Sequence, residues 1–250
     1  MKRVVILQPG YLPWIGFFDM MAKADVFVIF DDVQYTVRDW RSRNRIKKPD
    51  GVLWLTVPIQ SKGSREKLIK DVEVDSAQKW QRNHSKNLQS FYSKTPFFEQ
   101  TMEMIGDLYE KSFQFLLDVD MDFISKVSHF LGIKAEVCFS SSLPSDGVKD
   151  EKLLSICKHL QATHYLSGNA ARDYLREPLF NAEGISVEWH NYQHPVYHQR
   201  WLKEQGFISH LSIVDLLFNH GHDALDILSA NKKVALPEGT QVRTADAIVA

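Results

Sequence analysis

Cysteine is scarce in this chain, Cys138 and Cys157 being the two thiols among 250 residues. Two thiols make no disulfide framework, and neither belongs to a CxxC pair of the zinc-gripping kind, so a reducing compartment is expected. Long apolar runs are missing as well. No stretch approaches the roughly 18 residues of a membrane span. The N-terminal run ends at Leu7, before Gln8 and Pro9, too early for the apolar part of a secretory signal. A cytoplasmic protein without a membrane span is the expectation. Charge of one sign is also lacking, since 30 Lys and Arg face 31 Asp and Glu. Whole-chain attraction to nucleic acid or to an anionic membrane is therefore disfavoured, and any anion must be recognised locally.

What is present is material for a sizeable core, 44% hydrophobic and 12% aromatic, arranged in two periodicities. Residues 4–7 and 26–30 are short continuous apolar runs, the pattern of strands covered on both faces. Proline 13 suits the first turn of a helix between them, over residues 14–22. Further on, Arg41, Arg43, Arg45 and Lys47 alternate with Trp40, Ser42, Asn44 and Ile46, a period of two that predicts a strand with four cations on one face. Pro49-Asp50-Gly51 then signals a turn into a returning strand over 52–59, completing a hairpin. Helical spacing dominates 76–131. Strands at 135–139, 163–166 and 185–189 alternate with helices at 149–160 and 169–175, and Ser212 and Asp215 sit at capping-box spacing for a last helix over 212–219. The expected fold is α/β, a Rossmann-like, mainly parallel sheet with a β-hairpin and a helical insertion. Residues 1–75 and 132–235 would form the discontinuous α/β domain, 76–131 the insertion and 236–250 a tail.

Ligands of open α/β sheets bind past the carboxyl ends of the strands. The loop QPGYLPW occupies that position after the first strand. Gln8 and Tyr11 there can hydrogen-bond a ligand while Trp14 stacks on it; alternatively the aromatics are core. Asp31 and Asp32 follow the second strand and would face the same crevice, as holders of Mg²⁺, as a base or as ligands for sugar hydroxyls, or else as a turn cap and an arginine partner. The arginine row suits phosphate or carboxylate through its bidentate geometry, or protects an exposed edge. Ser167 and Gly168, with Arg172 one turn on, form a strand-to-helix turn that aims backbone amides at an anion or merely caps the helix. His84 is a candidate acid or base on a helix. His190, His194 and His198 are four apart, but Pro195 argues against a helix that would gather them around a metal. His194 and Tyr197 are better read as polar contacts near a strand end. Asp31 and Asp32 belong to no HxH or DxD pattern that would support a metal, and the motifs specify no cofactor.

The segments QPGYLPWIGFF, ADVFVIFDDVQYTVRDWRSRNRIK, YLSGNAARDYL, WHNYQHPVYHQ and HLSIVDLLFNHG together resemble the WbqC-like family of bacterial proteins, over roughly residues 3–221. That resemblance implies a surface-polysaccharide or O-antigen context and modification of a sugar or nucleotide-sugar by aminoacyl or acyl transfer. A small-molecule or sugar-nucleotide ligand is the partner it implies. The first loop is also distantly similar to that of nucleotidylyltransferases, whose HxGH motif follows a strand. Here both histidines are missing, so the transferring phosphate would lack its stabilising groups. Two other readings stand beside a transferase: a noncatalytic nucleotide- or sugar-binding protein, and a nucleotidylyltransferase-like enzyme with a degenerate loop.

Overall fold

The computed structural model describes residues 1–230 and 232–243; residues 244–250 of the expected tail lie outside the described residues. In chain order the strands are β1 (Arg3–Leu7), β2 (Val26–Ile29), β3 (Arg43–Lys48), β4 (Gly51–Thr56), β5 (Glu136–Phe139), β6 (His164–Gly168), β7 (Ser186–His190), β8 (Phe207–Ile208) and β9 (Val242–Arg243). The helices are α1 (Ile15–Lys23), α2 (Trp80–Tyr92), α3 (Phe98–Ile105), α4 (Leu116–Phe130), α5 (Asp150–His159), α6 (Glu177–Ala182), α7 (Leu202–Gln205), α8 (Ile213–His220) and α9 (Ala224–Leu228).

The central sheet is parallel throughout, in the order β5-β2-β1-β6-β7. From β1 the chain builds outward through β2 to β5, then returns to the other side of β1 for β6 and β7. The direction reverses between β1 and β6. Loops leaving the carboxyl ends of these two strands part there and leave a crevice. Both faces of the sheet are covered, which is why β1 and β2 are uninterrupted apolar runs. Val5, Phe27, Ile29 and Leu166 face one core with α1, α2, α4 and α8; Val4, Ile6, Val26, Val28 and Tyr165 face a second with Leu153, Ile156 and Phe180. The helices of 76–131 share the first core with α1 and α8, as in the stacked rings of Tyr92 and Phe218, 4.6 Å apart.

The structure corrects several local expectations. The arginine strand starts at Arg43, while Arg41 lies in the preceding turn, so the four cations share no common exposed face. Lys47 is fully buried, donating to Gln199 Oε1 at 3.1 Å and to the Gly206 carbonyl at 2.7 Å. The expected helix at 169–175 is a 3-10 segment, Asn169–Asp173. The segment is held by the tighter i to i+3 bond, the Tyr174 amide donating to the Ala171 carbonyl at 3.2 Å, and α6, with Pro178 in its first turn, follows. The capping box of α8 is half formed. Ser212 accepts from the Val214 amide, whereas Asp215 turns inward to accept from the Tyr92 hydroxyl at 2.8 Å. Within the segment expected as a tail, Val242 and Arg243 pair in parallel with β8.

Candidate functional site

Past Leu7 the chain cannot continue as strand, because Pro9 and Pro13 lack the amide hydrogen a ladder needs. It folds into a buried loop fixed from two sides. The Tyr11 amide donates to the Arg41 carbonyl at 3.1 Å, and Asn44 Nδ2 donates to the Leu12 carbonyl at 2.7 Å. On the other side the Ile213 amide donates to the Pro13 carbonyl at 2.9 Å. Gly10 permits the close approach: a Cβ there would stand 2.8 Å from the Trp40 carbonyl oxygen. The loop therefore joins the turn before β3 to the start of α8.

A cleft opens at the carboxyl ends of β1 and β6, where the sheet reverses. Ile6, Leu7, Gln8 and Gly10 supply one part of its lining, Trp14 and Phe17 another, and Trp40, Arg41 and Asn44 a third. Tyr165, Ser167, Gly168, Ala171 and Tyr174 line the β6 side, with Phe30 and Leu153. Its volume of about 150 Å³ suits a single ring, and the lining is mostly apolar with a few polar groups, the usual make-up of a small-molecule site.

Trp14 is held from behind. Its ring stacks on His210 at 5.3 Å and meets Tyr192 edge-on at 5.5 Å. The Trp14 backbone bridges to Ser212. Gly16 makes room for this placement, since a Cβ there would lie 2.2 Å from the indole. Aromatic walls fixed in this way offer a flat face to a ligand ring at little entropic cost.

Among the described residues, Arg41 is the one cation lining this cleft. Its side chain is 17% exposed and lies 3.6 Å from Asp39. Burial pulls the guanidinium below its usual range, opposed by Asp39 and then Asp120. Asp120, on α4, is fully buried with neither carboxylate oxygen hydrogen-bonded, and burial drives its pKa well above the usual carboxylate range, against the pull of Arg41. The Nε of Arg41 is likewise buried without a partner. An anion reaching the exposed part of the guanidinium would meet a charge already largely stripped of water, where electrostatic interactions are strong.

The sequence-predicted residues divide between the cleft and its surroundings. Gln8, Trp14, Arg41, Ser167 and Gly168 line the cleft. Tyr11 and His84 meet each other instead, hydroxyl to Nδ1 at 2.9 Å, in a buried cluster with Trp80 and Tyr109. The two aspartates secure the turn after β5. Asp31 accepts from the Ser141 amide at 2.9 Å and the Ser141 hydroxyl at 2.7 Å, and Asp32 pairs with Lys152 at 2.7 Å. Asp32 is lowered by Lys152 and Ser140, which outweigh its own desolvation. Arg43 and Arg45 cover Trp54 at 4.5 and 5.2 Å. Arg172 is exposed and lies 4.7 Å over Trp189. His194 sits behind Trp14, accepting from the His210 amide at 3.0 Å, and Tyr197 is buried beside it.

Sequence reasoning missed Trp40, Tyr165, Tyr174 and Asp120. Two of these had a signal: Tyr165 and Ser167 share a strand face, and Asp120 interrupts the apolar face Leu116, Phe123, Val127 at helical spacing. Tyr174 and Trp40 reach the site through loop geometry that spacing does not encode.

The buried histidines make a pH prediction. Desolvation holds both His84 and His194 down at about 4, whereas unfolded histidine titrates near 6.5. Between those values the unfolded chain binds protons that the folded chain refuses, so stability present above about pH 6.5 is lost as pH falls toward about 4. The urea midpoint should drop between pH 7.5 and 5, and His84→Asn with His194→Asn should drop less over that interval. An equal drop in both would assign the loss to other groups.

Comparison with known proteins follows the same regions. The sequence model described as the WbqC-like protein family matches residues 8–227, a span that contains every residue of the cleft except Ile6 and Leu7. Among curated proteins, the uncharacterized protein Rv1507c of Mycobacterium tuberculosis (strain ATCC 25618 / H37Rv) is 37% identical over 230 residues, covering 91% of this chain and 98% of the relative. No solved structure matches.

Proposed function

The chain belongs to the WbqC-like protein family, and from that premise we propose that its cleft binds a sugar or nucleotide-sugar and that the protein transfers an acyl or aminoacyl group to it during synthesis of a bacterial surface polysaccharide in the cytoplasm. The observation carrying this reading is one largely buried guanidinium, Arg41, set among aromatic walls at the reversal point of a parallel sheet. Arg41 would take the phosphate or carboxylate, Trp14 and Trp40 the ring, and Gln8, Ser167 and the Gly168 backbone the hydroxyls. In such a transfer a sugar hydroxyl or amine attacks the donor's acyl carbon and loses its proton, and the donor group departs with the bonding electrons. The reading gives Asp32 and His84 no part in the proton transfer, because one is ion-paired to Lys152 and the other is buried against Tyr11.

Binding without turnover is the second reading. It is favoured by the cleft lining itself, which among the described residues includes no carboxylate, imidazole, amine or thiol. Titration against nucleotides and nucleotide-sugars, run beside a turnover assay, separates the two. Binding with product formation, together with an altered surface glycan in cells carrying Trp14→Ala, supports the transferase. Binding without product supports the second reading, and absence of binding removes both.

A further inference from the structure

A second depression lies beside the cleft, bordered by neighbouring residues of the same chain segment. Trp40 and Arg41 line the cleft, whereas Arg38, Ser42 and Arg43 line this groove. Across it, the loop after β4 brings Ser61, Ser64 and Arg65. We propose that this groove is a phosphate-binding site, in which Arg38, Arg43 and Arg65 together hold the phosphate or diphosphate of a ligand.

Three arginines from two separate segments line this groove, and like charges gathered around one depression cost free energy unless an anion joins them. Among the described residues the arginine–carboxylate pairs are made by Arg3, Arg41 and Arg176, so none of the three groove arginines has one. Among the described residues Glu66 is the one acid in the lining, which leaves a net excess of positive charge. Arg43 is held in place before any ligand arrives, lying 4.5 Å over the Trp54 ring and donating to the Arg38 carbonyl. Ser42 accepts from the Tyr35 hydroxyl at 3.1 Å, which leaves its own proton to donate outward. The groove volume of about 490 Å³ exceeds that of one phosphate and admits two in sequence. Arginine suits such oxygens because its planar fork pairs with two at once.

This site stands apart from the proposed cleft function, and the test keeps the two separate. Inorganic pyrophosphate would be titrated into the full chain at low ionic strength, comparing wild type with Arg65→Gln and with Lys86→Gln, which removes an exposed cation of α2 outside both depressions. Arg65 is exposed, so its substitution removes charge without disturbing packing. The expected result is saturable binding that weakens at least about tenfold in Arg65→Gln, is unchanged in Lys86→Gln, and fades with added salt. Absence of pyrophosphate binding overturns the proposal. Binding that keeps its wild-type strength in Arg65→Gln, or that weakens equally in Lys86→Gln, also overturns it, by placing the anion outside the groove or making it a matter of overall charge.

Discussion

Arg41→Ala should weaken the cleft's anionic ligand by about a hundredfold, equivalent to ~3 kcal/mol, the upper range for hydrogen bonds to a charged group. The effect is large because the guanidinium is already mostly out of water, so its interaction with an anion is poorly screened. Arg41→Lys should recover only part of the affinity. A lysine keeps the charge but presents a point rather than a planar fork. Removing Arg41 also isolates Asp120, whose carboxylate has no hydrogen-bond partner and whose charged form Arg41 favours. Because Asp120 can take up a proton, the variant should fold, and calorimetry alongside thermal melting would distinguish lost affinity from lost structure. An affinity within threefold of wild type, roughly 0.7 kcal/mol, would remove Arg41 from the site.

Gly16→Val should be the most damaging small-residue change near the cleft. Even a methyl at this position would meet the Trp14 indole at 2.2 Å, and valine adds branches on a helix whose neighbours are buried. Either the indole leaves its stack on His210 or the first turn of α1 shifts. Overpacking of this kind costs about 3 kcal/mol at the upper end of its usual range. Ligand affinity should fall as well, since the aromatic wall moves with Trp14. Thermal melting and ligand titration check the two consequences together; a variant with unchanged melting temperature and unchanged affinity would show that Trp14 has room to relocate without cost.

The sheet was legible because burial on both faces leaves a simple mark, the uninterrupted runs at Val4 to Leu7 and Val26 to Ile29. The hairpin was legible for a different reason, a turn triplet at Pro49-Asp50-Gly51 between two strand-like segments. The arginine row was harder. Period two correctly indicated a strand over Arg43 to Lys48, but period alone cannot say which face another element will cover. Packing took Lys47 inside and left Arg41 in a turn, facing the cleft. The aspartates show a similar limit. Their place after β2 was read as a crevice position, yet Ser140, Ser141 and Lys152, more than a hundred residues later, engage both carboxylates. Such distant partners leave no trace in local spacing. The QPGYLPW loop, by contrast, was recognisable from strand position and proline placement, and the structure puts its Gln8, Gly10, Pro13 and Trp14 on the cleft wall.

Methyl NMR offers the most direct test that the β1–β6 cleft is where the ligand binds. Ile6, Leu7, Leu153 and Ala171 line the cleft, while Leu88 and Ile105 lie in the helical part of the core. Titration with a panel of nucleotide-sugars should move the first four signals together with at least one panel member, leave Leu88 and Ile105 in place, and fail in Arg41→Ala. Shifts centred away from the four cleft methyls, or the same cleft shifts at the same ligand concentrations in Arg41→Ala, would contradict the account.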